Sequence, residues 1–227
     1  MAKTSPLKQL LLLSLLLVLV TGCISTKKYN SYIYAYKGWV QASRGNSGGS
    51  VIVKTDSLIK EDTLVRSKKN SALFIPALLY WQWDNTIRCD LNPSIGSNIL
   101  QTSIEAYSDS LKLYEKLNGQ VLELSIRSVP VSFVWTHYGH FAFFIAGYTF
   151  RDTKVILPVK GTLVVDYRLF KGNQMTKNGT ITFEYNDRYF GMVLRSTQNY
   201  TWNYLDQYNK NISDLGRTLI DRILTEI

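Results

Sequence analysis

The sequence predicts an α+β fold: a curved antiparallel sheet, built as a meander, with a long central helix and a C-terminal helix packed on one face. Three observations predict it. Residues 121–185 alternate in polarity and are punctuated by short turn signals. A segment of helical period at 97–117 precedes them, and an amphipathic segment at 211–227 closes the chain. Strands gathered in one block, without strand and helix alternating, favour an antiparallel sheet over a parallel one.

The first 22 residues have the parts of a secretory signal. Lys3 and Lys8 give a positive start, residues 10–20 are apolar apart from Ser14, and Thr21 and Gly22 are small residues at a cleavage point. This apolar stretch is well short of the roughly 20 residues that span a bilayer. The expected organisation is therefore a signal peptide over 1–22, a polar tether over 23–30 and a single α+β domain over 31–227. At about 3.3 to 3.6 Å per residue, the seven residues after Cys23, Ile24 to Asn30, would reach roughly 25 Å at most.

Tyr32-Ile33-Tyr34-Ala35-Tyr36 and residues 50–54 read as short strands, rich in aromatic or β-branched side chains. The stretch Ser43-Arg44-Gly45-Asn46-Ser47-Gly48-Gly49 between them reads as a hairpin loop, since it lacks the Gly-Lys-Ser/Thr ending of a phosphate loop. In residues 97–117, Leu100, Ile104, Tyr107, Leu111 and Tyr114 recur at helical spacing, and Asn118-Gly119 supplies a stop. Strands are expected over 121–126, 131–135 and 141–150, with a bulge at Ser128-Val129-Pro130 and a turn at His137-Tyr138-Gly139-His140. Residues 155–170 and 174–185 form a hairpin about Lys171-Gly172-Asn173, with Leu163, Val165, Tyr167 and Leu169 facing inward beside Ile181, Phe183 and Tyr185. Asn211 or Ser213 caps the last helix, whose stripe is Leu215, Leu219, Ile223 and Ile227.

The full chain carries a formal charge of +9. Removing Lys3 and Lys8 leaves 24 basic and 17 acidic residues, a charge of +7. That favours an anionic surface and falls short of a nucleic-acid footprint, so no nucleic acid is expected as a partner. Two cysteines, Cys23 and Cys89, exclude a disulfide framework. Cys89 reads as a small buried hydrophobe, or as a nucleophile if the fold brings a histidine beside it.

Reactive groups are sparse. His137 and His140 are the only histidines, and no Cys-x-x-Cys, His-Glu-x-x-His or Asp-rich loop is present, so neither a metal nor a cofactor is expected. Asp166 and Glu184 share a non-core face, with Arg168 at hand for cross-strand pairing. No catalytic residue is assigned, and the chain reads as a non-enzyme. The candidate binding platform is Tyr80, Trp81 and Trp83, for a glycan, a lipid or a protein. The same residues could instead pack in the core, because Leu73, Ile75, Ala77, Leu79, Trp81 and Trp83 would share one face of an extended run bent at Pro76.

Val20-Thr21-Gly22-Cys23 resembles the lipobox of bacterial lipoproteins. The resemblance implies that the Cys23 thiol carries diacylglycerol, that cleavage falls before it, and that acyl chains hold the protein to a membrane. With Ile24 and Ser25 rather than aspartate after Cys23, the sorting rule of enteric lipoproteins implies the outer membrane, facing the periplasm. The order of elements, GTLVVDYRLF at 161–170 and the terminal helix from Leu215 to Ile227 resemble auxiliary lipoproteins of ABC-type envelope transport systems. That likeness implies an accessory role, with an envelope protein partner or a hydrophobic cargo. A glycan-binding or adhesion module using exposed aromatics, and an envelope hydrolase using His137 or His140, are the alternatives.

Overall fold

The computed structural model describes residues 24–39, 50–55, 64–76, 79–185, 190–192 and 196–227. In chain order the elements are α1 (Thr26–Tyr34), β1 (Val51–Lys54), β2 (Leu64–Ile75), β3 (Tyr80–Asp90), α2 (Pro93–Ser110), α3 (Leu113–Lys116) and β4 (Val121–Ser128). They continue with β5 (Ser132–Phe144), β6 (Gly147–Pro158), β7 (Gly161–Lys171), β8 (Gln174–Tyr185), β9 (Phe190–Met192) and α4 (Thr197–Glu226). The expected signal peptide and lipobox-like tetrad, Cys23 included, and the glycine-rich stretch 43–49 lie outside the described residues.

The α+β class holds, but the strands form two sheets in place of one meander. One sheet has the order β1-β4-β7-β8, with β1 parallel to β4. The other, β2-β3-β5-β6-β9, is antiparallel throughout. Two of the chain's crossings between them are short connections through described residues, from β4 to β5 through Pro130 and from β6 to β7 through Val159 and Lys160. Proline cannot donate to a ladder, so pairing stops where it stands. The register shift lies just before it, between Ile126 and Ser128, and the expected bulge at Ser128-Val129-Pro130 is mainly this crossing.

The strand expected at 32–36 is helical instead. Ser25 caps α1 by accepting the Lys28 N–H at 3.1 Å, and Tyr29, Ile33 and Tyr36 are buried at helical spacing. The expected tether shrinks accordingly, because Tyr29 is fully buried and only Ile24 and Ser25 precede the helix among the described residues. Ile24 is itself held, its carbonyl accepting Lys68 Nζ at 2.8 Å. The long central helix is also interrupted. Asn92 and Pro93 start α2 earlier than expected, and Lys112 takes a left-handed conformation (φ 49°) that separates α2 from α3.

The C-terminal helix is longer than its aliphatic pattern suggested. Ser196 caps it, not Asn211 or Ser213, and its first half buries Tyr200, Tyr204, Leu205 and Tyr208 before Ile212, Leu219 and Ile223 take over. Tyr200 Oη accepts the Ile156 N–H at 3.0 Å, the Tyr204 ring packs at a tilt against Phe133 with centroids 4.9 Å apart, and Tyr208 Oη donates to the Pro130 carbonyl at 2.8 Å. These contacts hold the five-stranded sheet and the crossing point. At the other end, Tyr167 Oη donates to Glu226 at 2.9 Å, and Lys177 Nζ donates to the Glu226 carbonyl, tying in the second sheet. Ser103 of α2 donates to the Ser213 carbonyl at 2.6 Å, and Trp202 Nε1 donates to the Tyr32 carbonyl of α1 at 2.7 Å. One helix thus touches every layer.

The Tyr208→Phe variant keeps the ring and deletes the hydroxyl, leaving the buried Pro130 carbonyl without that donor. It should lose about 1–2 kcal/mol in urea unfolding, with the midpoint lowered and the slope unchanged.

Candidate functional site: an aromatic sheet face

Side chains directly opposite one another across the five-stranded sheet share a face. The row Lys68-Ile87-Trp135-Ile156 belongs to the core, with Ile87, Trp135 and Ile156 buried beneath α1 and α4. Further out on that face come Asn70-Asn85-His137-Lys154, then Ala72-Trp83-Gly139-Asp152, then Phe74-Trp81-Phe141-Phe150. Phe143 and Tyr148 form the last pair. Trp81 and Trp83 are half-buried, whereas Phe74, Phe143, Tyr148 and Phe150 are exposed. A single sheet face therefore passes from core to solvent without losing its aromatic character.

The rings touch in series along it. Tyr29 of α1 lies 5.6 Å from Trp135, Trp135 lies 5.8 Å from His137, His137 lies 6.2 Å from Trp83, and Trp83 lies 5.1 Å from Trp81 and 6.2 Å from Phe150. These separations suit tilted and edge-on aromatic contact. Gly139 makes room for the series. A Cβ there would stand 2.5 Å from Trp83 Cζ2 and 2.1 Å from the Arg151 carbonyl oxygen, so only glycine lets the indole lie flat across β5.

Of the three platform residues, the structure brings Trp81 and Trp83 together and puts Tyr80 on the opposite face. Tyr80 stacks on His140 at 6.4 Å and donates to Gln82. The reason is a turn. The run 73–83 is a hairpin rather than one bent strand, so Leu73 and Ile75 on β2 face away from Trp81 and Trp83 on β3. Pro76 and Leu79 flank the turn, Leu79 with φ 44°, and Ala77 lies outside the described residues. Phe74, Phe141 and Phe150 complete the face. Phe141 and Phe150 lie in the strand expected at 141–150 and Phe74 in the apolar run from Leu73, but only the register shows which of these rings join Trp81.

His137 and His140 do not flank a turn, since β5 runs straight through them and turns only after Phe144. An odd spacing on a strand puts them on opposite faces, where they cannot grip one ion. His137 Nε2 lies 2.5 Å from Asp152 Oδ1 and 3.4 Å from Trp83 Nε1. One nitrogen cannot donate to the carboxylate and accept from the indole at once, and the shorter contact makes it the donor to Asp152. No group of three or more His, Cys, Asp or Glu side chains among the described residues could hold a metal. His140 instead lines a shallow depression of about 190 Å³ with Tyr80, Gln82, Asp84, Tyr138 and Arg151.

Cys89 is buried beside Phe133 in the sheet, and burial pushes its thiol well above the ordinary range, so it stays protonated. Asp166 takes the Arg127 guanidinium at 2.8 Å and the Thr180 hydroxyl at 2.8 Å; both hold its carboxyl below the usual range. Arg168 reaches Glu123 at 3.7 Å, and Glu184 stands opposite Thr162, so Asp166 and Glu184 are not a carboxylate pair. Comparison with known protein families, curated proteins and solved structures finds no match.

A side chain at position 139 must displace the indole. The Gly139→Val variant should alter the near-ultraviolet circular dichroism of the tryptophans and lose about 1–3 kcal/mol of stability, whereas an unchanged spectrum would contradict the packing described.

Proposed function

We propose that this protein is a lipid-anchored envelope lipoprotein, held by acyl chains on Cys23 and non-enzymatic, that serves an envelope transport or assembly system by binding. In this account the domain sits at the outer membrane facing the periplasm, and its ligand is an envelope protein partner or a hydrophobic cargo. The observation that carries it is the aromatic face around Trp81 and Trp83, which continues outward from the core with Phe74, Phe143, Tyr148 and Phe150 exposed. Exposed apolar area of this kind is a surface that gains by being covered.

The fold also bears on the anchor. With α1 starting at Thr26, a lipidated Cys23 would be separated from the folded domain by Ile24 and Ser25 alone. Each buried methylene of an acyl chain contributes about 0.8 kcal/mol, so two or three chains hold stably. A leash of two residues would leave the domain little room to turn away from that membrane.

A second account, glycan binding, draws support from the half-exposed Trp81 and Trp83, with Asp152 in the same cross-strand row as Trp83, beyond Gly139. The two indoles are tilted by 51° to each other, which favours a curved apolar ligand over a flat sugar face. Fluorescence titration separates the two, because a glycan ligand would quench Trp81 and Trp83 while an apolar cargo would shift them to the blue.

Mass spectrometry of the mature N-terminus should find diacylglyceryl-modified Cys23 as the first residue, and the Cys23→Ala variant should leave the membrane fraction. In crosslinked membranes the Trp81→Ala, Trp83→Ala double variant should recover markedly less of any envelope component than the parent. An unmodified Cys23, or equal recovery by the variant, would count against the proposal.

A further inference from the structure

We infer that the paired hairpin tips of the five-stranded sheet dock into the interfacial layer of a lipid bilayer. The inference rests on the Cys23 anchor proposed above and gives the outermost rings, Phe74, Phe143 and Tyr148, to the membrane, leaving Trp81, Trp83 and Phe150 to the partner or cargo. It starts from a coincidence of two hairpins. The β2–β3 and β5–β6 turns lie at the same end of the sheet, because Trp81 stands opposite Phe74 on one side and Phe141 on the other, and Phe141 stands opposite Phe150. Neither hairpin carries a charge there: residues 70–83 and 141–150 contain no Lys, Arg, Asp or Glu.

Among the described residues both faces of the tips carry exposed apolar side chains. Phe74, Phe143 and Tyr148 project from the aromatic face, Leu73 and Phe144 from the opposite one, and Ile145 at the apex is wholly exposed (108 %). A protein groove would cover one face, whereas a bilayer receives an apex on all sides. Aromatic rings at this density also suit the zone between headgroups and acyl chains, where rings concentrate in membrane proteins.

Charge begins directly beneath. Arg151 on β6 is exposed one row below Phe150, placed to meet a lipid phosphate while the rings go deeper; Asp152, bonded to His137, and exposed Asp84 follow in the next rows, and Lys69 lies farther from the tips, opposite Thr86. The anchor emerges on the same strand. Ile24 is bonded to Lys68, and from Lys68 to Phe74 is six residues of β2, or about 20 Å at roughly 3.3 Å per residue. One residue beyond Ile24 spans at most about 3.6 Å, so an acyl group on Cys23 and the tips enter one membrane together only with β2 tilted towards the membrane plane.

Two lengths set the depth. From the row of Phe141 to Ile145 is four residues, about 13 Å, against about 15 Å for the hydrocarbon of one leaflet, half of a core of about 30 Å. The ladder limits insertion further. Among the described residues the outer edge of β2 has no partner strand, and β6 pairs with β9 only at Lys154, Val155 and Ile156. Unpaired backbone groups are costly in hydrocarbon, so the tips stop near the headgroups.

The test uses the full-length, lipidated protein reconstituted in vesicles of phosphatidylethanolamine and phosphatidylglycerol. An environment-sensitive dye is attached at Ile145→Cys, Cys89 being buried, and in a parallel sample at Asn173→Cys in the β7–β8 turn. The dye at 145 should shift to the blue and lose emission when the acyl chains are brominated, while the dye at 173 should not respond. Adding Phe74→Ser and Phe144→Ser should abolish the shift at 145. A dye at 145 that stays wet while the protein floats with the vesicles would overturn the docking and leave the Cys23 anchor standing. If Cys23 proves unmodified, the labelled chain is remade with Cys23→Ala, and a dye at 145 that still enters lipid would support the docking and overturn the anchor. A chain that neither floats nor responds would overturn both.

Discussion

The tyrosine stripe of α4 is the contact on which the rest of the molecule depends. Tyr200, Tyr204 and Tyr208 put their rings into the core and their hydroxyls or edges against backbone and rings of the five-stranded sheet, as the chain crosses between sheets at Pro130. A leucine at those positions could fill the space but could not satisfy the Ile156 N–H or the Pro130 carbonyl, and a buried polar group without a partner costs about 1–3 kcal/mol. The aliphatic second half of the helix needs no such device, because Leu219, Ile220 and Ile223 are fully buried among apolar neighbours. The two sheets are thus tied into one core by a helix that changes chemistry halfway along.

That arrangement divides the five-stranded sheet. Its lower rows, Cys89 with Phe133 and Ile87 with Trp135, are sealed by α1 and α4. Its upper rows extend past the helices, and the ring series from Tyr29 to Trp81 links the two regions. Gly139 and the His137–Asp152 hydrogen bond order the transition, one by admitting the Trp83 indole, the other by fixing a polar side chain among rings. The outer aromatics are accordingly held in place by the core while remaining open to solvent, which is what a preorganised binding surface requires.

Much of the fold was legible where side chains are aliphatic. The β7–β8 hairpin was readable because Leu163, Val165 and Leu169 alternate with polar residues, and its inward face is as expected. Tyrosine was the main obstacle. In α1 the sequence Tyr32-Ile33-Tyr34-Ala35-Tyr36 alternates like a strand, yet Tyr29, Ile33 and Tyr36 also recur like a helix, and the Ser25 cap decided the outcome. In α4 the stripe Tyr200, Tyr204, Tyr208 sits among asparagines and reads as polar until its burial is seen. For the site, Trp81 and Trp83 were visible from composition, whereas Phe74, Phe141 and Phe150 depended on cross-strand register. Register over a turn such as the one beyond Ile75 is set by tertiary pairing, which local pattern does not encode.

If α4 seals only the lower rows, the two halves of the sheet must differ in how readily they open. Amide hydrogen exchange followed by mass spectrometry measures this directly. Peptides from α4 and from the lower rows of β3 and β5 should exchange only with global unfolding, while those covering residues 141–150 should exchange earlier, by local opening, in the protein free of membrane. Equal protection in the two halves, or α4 opening before the sheet, would contradict the account.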